Sequence, residues 1–393
     1  MALLRELTID GKGHYGIGAS AVEKRDALYT YLRITDIRDD GTLNKDNLKS
    51  VDNFEAPNYL LFPNDIVFAR TGASTGRNYF YDGSDGEFVY AGFLIKFSID
   101  PQKVNPMYIK YYCQSLQYRN WIKSFSTGST RGNINAKTFG DMQIPLPSRK
   151  QQDFLVETLA PIDAKIKVNK AINDNLEQQA QALFRSLFID NADSAWAKGV
   201  LCNLGTIVAG GTPSKSKPEY YSEHGIAWVT PKDLSINKSK FVSRGETDIS
   251  ELGYTKSSAT KMPSGTVLFS SRAPIGYIAI ASNEITTNQG FKSVIPNDNI
   301  GTAFMYFLLK QLLPTIEGMA SGSTFKEISG AGMKSVPVII PDNETIQNFN
   351  NFCDPIFKQQ AMLETENGNL SSMRDMLLPK LMSGELDVSQ LDI

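Results

Sequence analysis

Two stretches of the chain, residues 155–187 and 356–381, carry apolar residues at intervals of three or four positions. This interval places the apolar side chains on one face of a helix. Pro161 lies within the first stretch, and Pro355 lies directly before the second. Because proline is tolerated in a first helical turn but kinks a helix interior, the pattern predicts a short helix before each proline and a long helix after it.

The two apolar stripes resemble the seam of a coiled coil. Leucines at this spacing usually belong to a plain core, but neither long helix can bury its stripe inside a single globular domain. We therefore expect the stripes to serve in helix pairing and as a surface for other subunits. The predicted residues are Ile162, Ile166, Leu176, Leu183, Leu187, Ile356, Leu363, Leu370, Leu377 and Leu381.

The chain repeats itself once. GSTRGNINAKTFGDMQIPLP begins at Gly128 and GSTFKEISGAGMKSVPVIIP begins 194 residues later, at Gly322, and the same register continues through the apolar stripes. Upstream, PNDIVFARTGASTG from Pro63 resembles PSGTVLFSSRAPIG from Pro263 at an offset of 200, so the loops differ in length. One long duplication indicates two domains of one fold rather than a stacked solenoid.

The globular part of each repeat has a mixed α and β pattern. Short β-rich segments such as YLRITDI and DIVFAR are separated by turn clusters. Residues 108–125 have helical spacing and predict one buried helix. We expect a globular domain over 1–148, a helical region over 149–190, a second globular domain over 191–341, and a second helical region with a tail over 342–393.

Composition narrows the class of protein. The 393 residues are 41% hydrophobic and 21% charged, which is typical of a soluble globular protein. No apolar run of membrane-spanning length and no signal peptide are visible, so we expect a cytoplasmic protein. With a net charge of −2, any phosphate-binding surface must be local or completed by a partner. Three scattered cysteines and two histidines predict no metal site.

Signals for catalysis are weak. Gly11, Gly13 and Gly16 match the dinucleotide fingerprint, and Asp36 follows at the distance of the ribose-binding acid. No helical stripe follows these glycines, although the fingerprint requires one. The chain also lacks a nucleophile elbow, a phosphate-binding Gly-Lys-Ser/Thr loop and the Asn/Asp-Pro-Pro-Tyr/Phe motif of amino-methyltransferases. These patterns favour a binding module over a dinucleotide-dependent enzyme, which remains an alternative.

Two kinds of loop recur in both repeats and suit DNA contact. FARTGASTGR from Phe68 and FSSRAPIGY from Phe269 combine arginine with small hydroxyl residues, and each Gly-Ser-Thr stretch precedes a cation. Such loops can approach phosphates, while arginine reaches a guanine edge; a capped turn with a solvated charge is the alternative. The predicted DNA-binding residues are Lys12, Arg33, Arg70, Thr71, Ser74, Arg77, Ser129, Thr130, Arg131, the basic segment Ser214, Lys215, Ser216 and Lys217, then Lys232, Ser270, Ser271, Arg272, Ser323, Thr324 and Lys326.

With these features in duplicated order, the sequence resembles the specificity (S) subunits of type I restriction–modification systems. The best local signals are the strand ends IPLP and VIIP, the glutamines Gln151, Gln152 and Gln347 that follow them, and LLPKLMSGELDV over 377–388. The resemblance covers nearly the whole chain. It implies a mixed α/β fold, with two homologous α+β target-recognition domains separated by two long antiparallel, coiled-coil-like helices and related by a pseudo-two-fold axis.

The resemblance also implies a non-catalytic subunit that reads a bipartite target in double-stranded DNA, one half with each domain. Two methyltransferase (M) subunits would dock on the helices and methylate adenines with S-adenosylmethionine, so no cofactor is expected in this chain. Motor-nuclease (R) subunits would join for restriction. The main alternative is a protein-only assembly adaptor whose loops never contact DNA; it predicts no DNA binding at any salt concentration.

Overall fold

The computed structural model describes residues 1–125, 133–322 and 326–386. These residues form two compact units that are discontinuous in sequence. Unit 1 contains Met1–Lys165 and the chain from Leu370, and unit 2 contains Ile166–Asn369. Each unit therefore consists of one globular part and segments of two long helices.

Short strands and helices build the globular part of unit 1. The strands are β1 (Ala2–Leu3), β2 (His14–Tyr15), β3 (Ala21–Val22), β4 (Thr30–Leu32), β5 (Lys49–Val51), β6 (Asp65–Ala69), β7 (Asn78–Tyr81), β8 (Phe88–Tyr90), β9 (Leu94–Ser98) and β10 (Gln143–Ile144). The helices are α1 (Pro106–Tyr112), α2 (Leu116–Lys123) and α3 (Ala136–Gly140), followed by the long helix α4 (Arg149–Arg185).

The strands of unit 1 form two four-stranded sheets. One has the spatial order β2-β9-β6-β7 and is antiparallel throughout. The other has the order β3-β5-β4-β8, in which β4 and β8 pair in parallel. Strands β1 and β10 form a separate antiparallel pair that leads the chain toward α4.

Unit 2 has the same kinds of element. Its strands are β11 (Ala197–Val200), β12 (Gly205–Ala209), β13 (Tyr221–Ser222), β14 (Trp228–Val229), β15 (Phe241–Val242), β16 (Asp248–Ile249), β17 (Val267–Ser271), β18 (Ile275–Ala281), β19 (Thr286–Thr287), β20 (Lys292–Pro296) and β21 (Pro337–Ile340). Its helices are α5 (Pro231–Ile236), α6 (Glu251–Thr255), α7 (Thr302–Met319), α8 (Gly330–Lys334) and the long helix α9 (Asn343–Ser383).

The strand order of unit 2 repeats that of unit 1. The order β12-β20-β17-β18 in its main sheet corresponds to β2-β9-β6-β7, with β15 added at the edge. The parallel pair β14 and β19 corresponds to β4 and β8, and the antiparallel pair β11 and β21 corresponds to β1 and β10. The duplication seen in the sequence is therefore a duplication of topology.

Each unit encloses a large aromatic and aliphatic core. In unit 1 the core joins Phe68 of β6 and Phe97 of β9 to Leu159 of α4 and Leu378 of α9. In unit 2 a core of Phe184, Phe304, Phe307 and Phe349 joins α4, α7 and α9 to the main sheet. The long helices are thus part of both cores, which explains why apolar residues recur along their whole length.

The expected break at the prolines is absent. Helix α4 continues through Pro161, and Pro355 lies inside α9. A proline removes one backbone hydrogen bond and costs stability in a helix interior. Here the apolar side chains on both sides of Pro161, including Leu159 and Ile166, are buried, so tertiary packing offsets that cost.

Within unit 2 the two long helices run antiparallel. Asn169 donates hydrogen bonds to Glu366 and Asn367, while Gln360 donates to the backbone carbonyl of Asn173. Farther along α4, Phe184 contacts Phe349 near the start of α9. Because the partner number falls as the α4 number rises, the pairing is antiparallel, as expected.

Residues 108–125 form two helices rather than the single helix that we expected. Helix α1 ends at Tyr112, and α2 begins after Ser115, whose hydroxyl accepts a hydrogen bond from the backbone N–H of Tyr118. Serine is a strong N-cap because its oxygen satisfies an otherwise unpaired N–H of the first turn. The cap therefore begins a new helix in the middle of an uninterrupted apolar pattern.

Candidate nucleic-acid interface

Arg70 lies directly after β6. It begins the arginine loop of unit 1, residues 70–77 within FARTGASTGR; the arginine loop of unit 2 lies within FSSRAPIGY. Its guanidinium stacks on the ring of Tyr15, with Cζ 5.0 Å from the ring centroid, and Nη2 donates to the side-chain oxygen of Asn133 at 3.3 Å. Its Nε is buried and has no hydrogen-bond partner among the described residues. Tyr15 and Asn133 therefore fix the direction of this cation, and contact with a ligand would come from its terminal Nη groups.

The neighbouring arginines are occupied by carboxylates. Arg77 donates from Nε and Nη2 to the two oxygens of Asp39, at 2.7 and 3.2 Å, and from Nη1 to the carbonyl of Ile37. Arg33 forms a similar fork with Asp36, which raises the pKa of Arg33 through their hydrogen bonds. Both arginines stabilise loops in this structure, and their carboxylate partners already offset much of the charge that the predicted contact with DNA would use.

The three serines in the arginine loops lie inside the structure, whereas we expected them at the surface. Ser270 and Ser271 are 0% exposed, and their hydroxyls donate to the carbonyls of Pro274 and Gly290. Ser74 is also buried, and Thr71 beside Arg70 is half-buried. Strand β17 is buried at every position, because both of its faces are covered. The alternation of side chains along the strand therefore brings neither Ser270 nor Ser271 to the surface. Their hydrogen bonds stabilise the loops.

Arg272 begins the corresponding loop of unit 2, directly after β17. Its Nη1 donates to a carboxylate oxygen of Glu327 at 3.3 Å, and Lys292 approaches the other oxygen at 3.6 Å. Two cations thus share one carboxylate, which leaves positive charge in excess at this strand end.

A cleft of about 820 Å³ brings three of the predicted residues of unit 2 together. Lys215, Lys232 and Arg272 line it beside Thr212, and they come from three separate segments of the chain. A cleft bounded by cations, hydroxyls and amides has the chemistry of a site for a phosphate backbone and base edges. It is therefore the candidate interface of unit 2.

The carboxylates of this cleft are engaged by the protein itself. Asp233 accepts hydrogen bonds from the backbone N–H groups of Thr230 and Glu246. Glu246 pairs with Lys232 at 2.6 Å, and this contact raises the pKa of Lys232. Lys215 has no ion-pair or hydrogen-bond partner among the described residues, so it is the cation of the cleft with greatest freedom to bind an anion.

Sequence reasoning missed most of the cleft lining, including two aromatic rings and two side-chain amides. Tyr221 and Trp228 pack edge to face with ring centroids 5.9 Å apart, and Asn288 and Gln289 present amides. The turn signal Asn-Gln-Gly after a short strand could have identified the amides. Trp228 gave no signal, because its place in the cleft depends on long-range strand pairing.

The remaining predicted residues lie elsewhere or outside the described ranges. Lys12, Ser214, Ser216, Lys217 and Lys326 are exposed at the surface. The predicted residues Ser129, Thr130, Arg131, Ser323 and Thr324 lie outside the described residues.

The glycines of the dinucleotide fingerprint belong to a strand. Residues between Gly13 and Gly16 form β2, which pairs with β9, and no helix follows them within the fingerprint. A side chain at Gly16 would collide with the backbone carbonyls of Tyr90 and Ala91. Close backbone approach therefore explains this glycine without a nucleotide.

The predicted helix-pairing residues are distributed between the two cores. Ile162, Leu377 and Leu381 pack against the core of unit 1, and Leu176, Leu183, Leu187 and Ile356 belong to or pack against the core of unit 2. Ile166 is buried, whereas Leu363 and Leu370 are half-buried.

Polar contacts also tie the long helices to the globular parts. In unit 1, Asp163 of α4 binds Lys110 and Tyr111 of α1 and Arg374 of α9. These contacts join three helices around one carboxylate.

In unit 2 a more deeply buried cluster of Lys240, Glu177 and Gln360 joins the two long helices to the globular part. Lys240 is 9% exposed and donates to Glu177 at 2.8 Å and to Gln360 at 2.9 Å, with its ammonium 3.4 Å from the ring centroid of Phe357. Burial lowers the pKa of Lys240 to about 8, although the charge of Glu177 opposes that shift.

Comparison with known proteins agrees with this architecture. The model of the family described as type I restriction modification DNA specificity domain matches twice, at residues 23–178 and 194–367. The two matches include most of both units and the greater part of both long helices. This chain belongs to that specificity-domain family.

Relatives in the family differ in how much of their length they share with this chain. The type I restriction enzyme MjaIX specificity subunit of Methanocaldococcus jannaschii is 35% identical over 190 residues, which cover 46% of this chain and 44% of that protein. The chain thus matches less than half of that relative. The HindI specificity subunit of Haemophilus influenzae is 24% identical over 399 residues, covering 82% and 86% of the two chains.

A solved structure shows the same fold of specificity subunits. The crystal structure of a type I restriction–modification S subunit from M. genitalium aligns with a TM-score of 0.56 at 19% sequence identity, covering 97% of this chain and 95% of that one. At this identity the similarity concerns the fold. In the described ranges of this family member, no helix is long and apolar enough to cross a membrane.

Proposed function

We propose that the protein is the DNA-recognition subunit of a type I restriction–modification complex and that each unit reads one half of a bipartite target. The observation that carries this proposal is the recurrence of one topology with a cationic strand end in each copy. Arg70 follows β6 in unit 1, and Arg272 follows the corresponding β17 in unit 2. A shared scaffold with divergent loops is the arrangement expected when two domains bind different sequences.

The chemistry of DNA modification would come from other subunits. Two methyltransferase subunits, with S-adenosylmethionine as their cofactor, would dock on α4 and α9, and motor-nuclease subunits would join for restriction. In support, the exposed faces of these helices carry apolar residues such as Val168, Met362 and Met376. Exposed apolar surface on a long helix suits a protein partner.

An exchange of recognition parts tests the proposal. Residues 197–341 would be replaced by the corresponding segment of a family member with a different target, so that β11 and β21 move together. The chimera would be expressed with the cognate methyltransferase subunits, and the methylome sequenced. One half of the methylated sequence should change while the other half stays the same.

The reciprocal exchange within unit 1 is the matched control and should alter the opposite half. If both halves change together in either chimera, independent reading by the two units is wrong. A salt-titrated binding assay with duplex DNA adds the second arm, because a protein-only adaptor would bind no DNA at any salt concentration. Absence of methylation and of DNA binding with the unaltered complex would refute the proposed function itself.

A further inference from the structure

The turn after β19 presents a glutamine side chain at the mouth of the unit 2 cleft. Its backbone is held firmly. The N–H of Asn288 donates to the carbonyl of Val229, the side chain of Asn288 accepts from the N–H of Gly290, and the N–H of Ser271 donates to the carbonyl of Gly290 at 2.7 Å. Gln289 lies at the centre of this turn and is exposed. The backbone of the turn is therefore held in place, while the side chain of Gln289 is exposed to solvent.

The amide of Gln289 is oriented on one side only. Its oxygen accepts a hydrogen bond from the hydroxyl of Thr212, and its nitrogen donates to no described residue. An amide oxygen has two lone pairs and an amide nitrogen has two N–H donors. Gln289 thus retains one acceptor site and both donors, in a cleft that also contains Lys215 and Arg272.

This arrangement matches the major-groove edge of adenine, where N7 accepts a hydrogen bond and the N6 amino group donates one. Glutamine forms that pair of bonds in a bidentate manner, and prior orientation by Thr212 reduces the entropy lost when it binds. Resting on the proposed function, we infer that Gln289 determines specificity for an adenine in the half-site read by unit 2, and that Thr212 positions it.

The duplication supports a role in discrimination rather than in folding. The same backbone hydrogen bonds hold the equivalent turn of unit 1: the N–H of Leu94 donates to the carbonyl of Ala91 as the N–H of Phe291 does to that of Asn288, and the N–H of Arg70 donates to the carbonyl of Phe93 as the N–H of Ser271 does to that of Gly290. Gly92 therefore occupies the place of Gln289 in unit 1. The scaffold is therefore formed without a glutamine, and the amide is an addition specific to unit 2.

The test compares methylomes of cells that express the full chain with the cognate methyltransferase subunits. Gln289→Ala should accept other bases at one position of the unit 2 half-site, with discrimination for adenine reduced roughly 5- to 150-fold. Gln289→Glu keeps only acceptors, so preference at that position should move toward cytosine, whose N4 amino group donates. Thr212→Val should weaken discrimination at the same position and at no other.

Two controls separate base reading from other effects. Gln311→Ala removes an exposed glutamine from α7 of the same unit and should leave the target unchanged. Lys215→Ala should weaken binding to all sequences alike and reduce the salt dependence, as loss of a phosphate contact does. Thermal unfolding of each variant verifies that the exposed substitutions leave the fold intact.

The possible failures are distinguishable. A bipartite wild-type target that is unchanged in Gln289→Ala, or that has no adenine in the half-site of unit 2, overturns the role of Gln289 alone. A wild-type methylome with no bipartite target overturns the proposed function, and the role of Gln289 with it.

Discussion

Replacing Lys240 by methionine should change how the stability of unit 2 depends on pH. In the wild type this ammonium lies among Glu177, Gln360 and the ring of Phe357. Methionine fills a similar volume without charge. Glu177 keeps a second partner, Lys310, at 2.6 Å, so the substitution does not leave Glu177 without a cation.

The magnitude follows from the pKa of Lys240, which burial lowers from 10.5 to about 8. Below pH 8 the amine is protonated in both the folded and the unfolded chain, and the full cost of burying the charge is present. Between pH 8 and 10.5 the unfolded chain binds more protons, so the free energy of unfolding rises with pH. Relative to Lys240→Met, the wild type should gain roughly 2 to 3 kcal/mol between pH 7 and pH 10.

Urea unfolding at several pH values, followed by tryptophan fluorescence, measures this difference. Trp196 and Trp228 lie in unit 2, whereas Trp121 lies in unit 1. A Trp121→Phe background therefore reports on unit 2 alone, and ionisations common to both proteins cancel. A difference in unfolding free energy that stays constant from pH 7 to pH 10 would refute the reasoning about the buried lysine.

Two further substitutions address the core and the arginines. Phe184 is 1% exposed, so Phe184→Ala should destabilise unit 2 by about 3–5 kcal/mol in the same fluorescence assay. As a control, Val168→Ala on the exposed face of the same helix should cost less than about 0.5 kcal/mol. Comparable losses in the two variants would contradict the assigned core. Arg70→Ala should weaken DNA binding more than Arg77→Ala, since Asp39 already occupies Arg77, and equal losses in a salt-titrated binding assay would show that this pair opens on DNA.

The sequence predicted the repeated architecture because strand ends and helical stripes are local patterns. DIVFAR and TVLFSSR both became central strands followed by an arginine. Pro161 was misinterpreted for the opposite reason. Its effect on α4 depends on how strongly the residues on both sides are buried, and burial is a property of the folded chain.

The candidate site was predictable only in part. Arg70 and Arg272 were identified from local motifs, but Thr212 and Gln289 meet across 77 positions of the sequence, and no local pattern indicates such a contact. From the sequence alone, the serines of β17 resemble surface residues. They are buried because the strand lies at the centre of its sheet and is covered on both faces.

The discontinuity of unit 1 has a consequence for synthesis on the ribosome. Its core includes Leu378, with Leu377 and Leu381 packed against it, so the residues up to Lys165 emerge long before the helix that completes them. At about 5–20 residues per second, that helix arrives roughly 10 to 40 s later, whereas unit 2 is contiguous and complete by Asn369. The half of the protein that is translated first is therefore the half that finishes folding last, and during that interval part of its apolar surface is uncovered and prone to aggregation.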